Sequence, residues 1–153
     1  MHGNKTLFCL VLCIFFITPF FLQAQTAAEL ETLLESSAIT CSEAAWFVLS
    51  ASQAASGDNS QAAFETAMNN GWLPKKATAD DPITLGPLSF LMMKTFGIKG
   101  GLLYLIFPGP RYAFRNLVSR SIIQGAADPA MQVSGDRFLQ ILGNVLNIAG
   151  GEE

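Results

Sequence analysis

Ile39-Thr40-Cys41-Ser42-Glu43-Ala44-Ala45-Trp46-Phe47-Val48-Leu49 is the stretch whose reading decides the fold, because it returns twice further along the chain. Ile83-Thr84-Leu85-Gly86-Pro87-Leu88-Ser89-Phe90-Leu91-Met92-Met93 starts 44 residues later, and Val133-Ser134-Gly135-Asp136-Arg137-Phe138-Leu139-Gln140-Ile141-Leu142 starts 50 residues after that. A second element repeats in phase. Ala63-Phe64-Glu65-Thr66-Ala67-Met68 is echoed 50 residues on by Ala113-Phe114-Arg115-Asn116-Leu117-Val118. Periods of this size mark one supersecondary unit that cannot bury its own apolar face and stacks on its copies. They point to a scaffold or binding module before they point to an enzyme.

Every strong periodic stretch reads as helix. Thr40 and Glu43 have the spacing of a capping box, and Ala44, Phe47, Val48 and Ala51 then share one face. A following helix from about Gln61 to Asn70 turns Ala63, Phe64, Ala67 and Met68 inward, with Gly71 placed for a left-handed cap. Thr84 is expected to cap the next, with Leu88, Leu91, Met92 and Phe96 inward and Gly97 closing it. A helix from about Arg111 carries Phe114, Leu117, Val118 and Ile122 inside. Ser134 opens the last, with Phe138, Ile141, Leu142, Val145 and Leu146 inside. The expected fold class is all-α, a pseudo-repeated bundle of helix-loop-helix units. Between Gly97 and Arg111 the pattern breaks. Leu102 to Phe107 is an apolar run between Gly100-Gly101 and Pro108-Gly109-Pro110, read as a short buried helix or a strand and too short to span a bilayer.

The first residues read as a targeting segment. Lys5 precedes an apolar run from Leu7 to Leu22, and Ala24 offers a small residue for cleavage, so residues 1–24 are expected to be a signal peptide and the protein to be exported, to the periplasm or outer envelope. An uncleaved anchor is the alternative. Residues 25–38 then form an N-terminal helix opened by Thr26 and Glu29, residues 39–148 the repeat domain, and residues 149–153 a flexible tail. The formal charge of −3 becomes −4 when Lys5 is lost, His2 goes with the leader, and Cys41 is left without a second cysteine to pair with. That composition excludes an intramolecular disulfide and the His- and Cys-ligated metal sites, and its mild acidity argues against nucleic acid. No cofactor is implied.

The Ile-Thr-x-x-Glu opening at Ile39 to Glu43, followed by Ala63-Phe64 in a second helix closed by Gly71-Trp72-Leu73-Pro74, resembles the S-layer homology repeat of bacterial envelope proteins. The copy closed by Ile122-Ile123-Gln124-Gly125 carries the same likeness, which covers residues 39 to 148 and is most similar to the divergent spirochaete-type versions. The resemblance implies a helical domain outside the cytoplasmic membrane that holds to cell-wall polymer or to another envelope protein. In typical repeats a basic residue follows the motif threonine and helps bind acidic wall saccharide. Here Cys41, Leu85 and Gly135 stand in those positions.

Glu43 is employed by its capping box, and Asp80, Asp81 and Asp128 precede Pro82 or Pro129 as turn residues, which leaves no carboxylate pair set aside for glycoside cleavage. A wall-saccharide hydrolase is therefore the weakest reading and no catalytic residue is assigned. Cys41 follows a capping Thr, where a helix dipole can activate a thiol, although free cysteines are mostly buried spectators. Cations concentrate instead at Lys94, Lys99, Arg111, Arg115 and Arg120, beside Tyr104 and Tyr112. Arg111, Arg115, Tyr104, Tyr112 and Lys99 are the candidate ligand-binding residues, since Arg beside Tyr is a common surface for anionic polymers. An assembly subunit that docks through the apolar 102–107 run, on a partner or as a peripheral membrane contact, is the alternative.

Overall fold

The computed structural model describes residues 30–52 and 59–149, so the leader, the Thr26 capping box and the tail at 150–153 lie outside the described residues. Among the described residues every regular element is a helix. The first, α1, is described over residues 30–35, with Leu33 buried and Leu30 and Leu34 exposed. Then follow α2 (Cys41–Ala51), α3 (Ser60–Asn69), α4 (Leu85–Thr95), α5 (Leu102–Ile106), α6 (Pro110–Ser119) and α7 (Gly135–Ala149).

Three buried residues meet at the centre of the unit that begins at Ser36. The Ile39 amide donates to the Val133 carbonyl at 2.9 Å, the Val133 amide to Ile83 at 3.2 Å, and the Ile83 amide to Ile39 at 2.9 Å, which closes a ring. All three side chains are almost wholly excluded from solvent. A buried backbone amide without a partner would be costly, so three segments that each offer one donor and one acceptor at the same depth satisfy one another.

Helix starts are completed by the same device. The first amides of an α-helix lack partners within it. Those of Cys41 and Ser42 find the carbonyls of Asp81 (2.8 Å) and Ala79 (3.0 Å), and those of Leu85 and Gly86 find Met131 (3.0 Å) and Pro129 (2.9 Å). The capping box of Thr40 and Glu43 is complete. Thr84 stands at the start of α4 but makes no side-chain cap: Thr40 accepts from the Glu43 amide three residues on, whereas the residue three after Thr84 is Pro87, which has no amide to donate.

α2 packs on α3, and α4 packs on α6 and α2. At the end of α3 the Gly71 amide donates to Met68 and that of Trp72 to Ala67, while at the end of α6 Ser121 donates to Val118 and Ile122 to Leu117, bond for bond at the 50-residue spacing. Gly71 has φ 68° and Ser121 φ 59°, the left-handed residue that ends a helix. Phe64 and Phe114 occupy matching buried places. Phe138 of α7 is fully buried, and its ring meets Phe47 edge to face with centroids 6.1 Å apart. Two inward assignments do not hold: Val118 and Leu146 are exposed, at the flanks of their apolar stripes.

The apolar run at 102–107 is a helix, and it is not buried. α5 has no buried residue, and Leu102, Leu103, Leu105, Ile106 and Phe107 are between 51% and 73% exposed. Five residues give only one turn and a half, which is enough to pair Leu105 N with Gly101 O and too short to turn a second face onto the core.

Candidate functional site

α6 presents the candidate cations. Pro110 at its first turn has the φ a helix requires and lacks an amide that would go unpaired there. Ala113, Phe114 and Leu117 face the core, so Arg111 and Arg115, four residues apart, share the exposed side. Both line an open groove of about 680 Å³ that runs between the start of α4 and the Asp128–Ala130 loop. Its floor is Gly86, Pro87, Pro129 and Phe114. A Cβ on Gly86 would lie 3.2 Å from the Pro129 carbonyl oxygen, so the absent side chain there keeps helix and loop in contact.

A second, smaller recess of about 330 Å³ lies on the other side of Arg115, between α5 and α6. Tyr104, Tyr112, Asn116 and Leu102 line it with Arg115. Tyr104 is half-buried, its ring set edge to face on Phe90 at 6.3 Å, and burial raises its hydroxyl pKa. Tyr112 stacks on Phe107 at 6.2 Å. The structure thus divides four of the five candidates between two cavities, Arg111 in the groove and the two tyrosines in the recess, with Arg115 lining both. Lys99 lines neither cavity, but its carbonyl accepts a 2.6 Å hydrogen bond from the Arg120 guanidinium. Arg120 therefore fastens the 97–101 loop to α6 and is occupied in doing so.

The carboxylates are employed locally. Glu43 Oε2 accepts from the Thr40 amide at 2.8 Å and from its hydroxyl at 2.9 Å. Asp81 accepts from the Thr78 amide at 2.7 Å, which holds its pKa below the usual carboxylate range, and Asp128 accepts from the Ala130 amide at 2.7 Å. Asp128 is the one carboxylate lining the arginine groove. Among the described residues no group of three or more His, Cys, Asp or Glu side chains is placed to hold a metal ion.

Cys41 is buried at the edge of a third cavity, of about 400 Å³, which Lys76 and Asp81 also line. Burial first, and the Asp81 charge second, push its thiol up from the ordinary 9.0 to about 11, the reverse of the activation a helix start can give. Between those values the native state keeps a proton that the unfolded chain releases, so this contribution to stability is complete below pH 9.0 and is lost as pH rises through about 11. Denaturant unfolding of the wild type and of Cys41→Ala across that range checks it. The wild type is expected to lose stability more steeply, and parallel pH dependences would contradict the shift.

Two features escape the sequence reading. The groove floor of Gly86, Pro87 and Pro129 joins residues more than 40 positions apart, and only the fold unites them. The exposure of α5 is the second; the stretch around it, from Pro82 to Ala127, holds five cations and no Asp or Glu in a chain of net charge −3. Leaving five large apolar side chains largely in water forgoes on the order of 1.5–3 kcal/mol for each one that a partner could bury.

Comparison of the chain with family models, with characterised proteins and with solved structures found no match. No helix of the described residues is long and apolar enough to cross a membrane.

Proposed function

We propose that this chain is a non-catalytic, exported module of the bacterial cell envelope, built on S-layer-homology-like helical repeats, which holds an anionic wall polymer in the groove beneath Arg111 and Arg115. The observation that carries it is the placing of these two guanidinium groups on one exposed wall of a 680 Å³ groove. Arginine offers fixed pairs of donors to carboxylate and phosphate groups, and two of them a helical turn apart fit successive charges along a polymer.

The repeat reading is supported by the closed ring at Ile39, Ile83 and Val133 and by the matched ends of α3 and α6. Its chief departure also has a physical account. Cys41, Leu85 and Gly135, which replace the basic residue after the motif threonine, are all buried, and only Cys41 of the three reaches the edge of a cavity. Cations that such repeats carry at the start of the first helix would here be supplied by α6, across the groove from Thr84. The leader and its export remain the reading of residues 1–24, and the anchor alternative is tested by whether Met1 persists in the exported protein.

Arg111→Gln together with Arg115→Gln is expected to weaken binding to purified wall fractions by roughly tenfold or more, the scale of losing two charge-assisted contacts. Thermal stability should barely move, because exposed charges contribute little to folding. Equal loss in a Lys75, Lys76 double variant with none in the arginine variant would transfer the site to the groove beside Cys41.

A further inference from the structure

The α5 ridge is not part of the arginine groove and has no covering element among the described residues. We propose that α5 is an interfacial anchor that enters the surface of a bilayer rich in anionic phospholipid. The reading is separate from the wall-binding one, although Arg115 lies beside both features.

The mount is rigid and the outward face is apolar. A Cβ on Gly100 would collide with the Tyr104 ring, so glycine lets the chain lie directly against it. Tyr104 at the middle of the short helix rests on Phe90, and Phe107 at its end stacks on Tyr112. Leu102, Leu103, Leu105 and Ile106 are left largely exposed. An exposed apolar ridge of this kind suits insertion at the acyl boundary of a bilayer, where the unpaired first amides of so short a helix stay within reach of headgroups and water.

Charge selects the partner. Lys94 Nζ lies 5.5 Å from the centre of the Phe90 ring that supports Tyr104. Arg120 is tied to Lys99 O just before α5, and Arg115 lines the recess with Leu102 and Leu103. These cations stand in the acid-free stretch from Pro82 to Ala127. Cations beside an apolar ridge, with half-buried tyrosines at its base, match lipid phosphates at the level of the headgroups with the acyl boundary below. An apolar protein patch would account for the leucines but not for the cations beside them.

The test is sedimentation of the exported protein with phosphatidylglycerol and with phosphatidylcholine vesicles, beside the variant Leu102→Glu/Leu105→Glu. Both proteins share the same amino-terminal segment, so their difference reads α5 alone. The wild type is expected to partition to phosphatidylglycerol roughly tenfold or more above both the variant and the phosphatidylcholine control, and to be released as salt rises from about 0.1 M to about 1 M. A second pair, Leu103→Gln/Ile106→Gln, should reproduce the loss without added charge. Equal partition of wild type and both variants overturns the proposal. So does a wild-type dimer that the variants dissociate without any vesicle binding, which would make α5 a self-association face. Retention on wall material should be unchanged in the Leu103→Gln/Ile106→Gln protein, which adds no charge beside Arg115, so either reading can fail while the other stands.

Discussion

Phe138→Ala is expected to cost about 3–5 kcal/mol of folding stability, the range for truncating a buried phenylalanine, and to lower the melting temperature by on the order of 10 °C. Phe138 is fully excluded from solvent near the start of α7, and its ring takes the edge-to-face position against Phe47 of α2. Its loss leaves a cavity and also removes the aromatic contact, a term of about 0.5–1.5 kcal/mol. Because that contact joins the first and last of the three motif helices, a small effect would mean that α7 is not packed as described. Thermal unfolding of the purified variant decides it.

Phe64→Ala and Phe114→Ala are expected to cost about 3–5 kcal/mol each and to agree within about 1 kcal/mol. Both rings are 8% exposed, one on α3 and the other at the same place on α6. Ala63 and Ala67 flank the first as Ala113 and Leu117 flank the second, so the cavities differ mainly by the larger Leu117 on one side. Being distant in sequence and on separate helix pairs, the two losses should add in the double variant. A variant whose denaturation midpoint did not move would break the 50-residue register on which the repeat rests.

The all-α class was legible because helical period, caps and closing glycines agree over the same stretches. Thr40 with Glu43, and Gly71 with Gly97, are local devices that depend on residues three or four apart, and sequence displays such spacing directly. The ring at Ile39, Ile83 and Val133 was signalled by the repeat starts, though the backbone bonds that close it were not. What the sequence hid was which apolar residues lack a partner. Leu102 to Phe107 reads as core by composition, and only the placing of α6 behind a helix of one turn and a half leaves it in solvent. Val118 was misplaced for a related reason. It sits at the edge of the α6 stripe, and the edge of a stripe is buried or bare according to the neighbour's width.

The candidate site divides along the same line. Arg111 and Arg115 were found because four-residue spacing on a helix puts two side chains together. The groove they overlook was not, since its floor joins the start of α4 to the loop before α7. Ser121 shows the limit from the other direction: in the place that Gly71 fills in α3, it adopts the same left-handed conformation, and a local reading alone would have put the break at Gly125.

Retention on purified cell-wall material is the measurement that bears most directly on the proposed function. The purified protein is expected to co-sediment with the wall fraction, to be released by salt as screening shortens the reach of the two arginines, and to liberate no soluble sugar. A wild-type protein that stays in the supernatant at low salt, or one that releases soluble sugar from the wall, would contradict it.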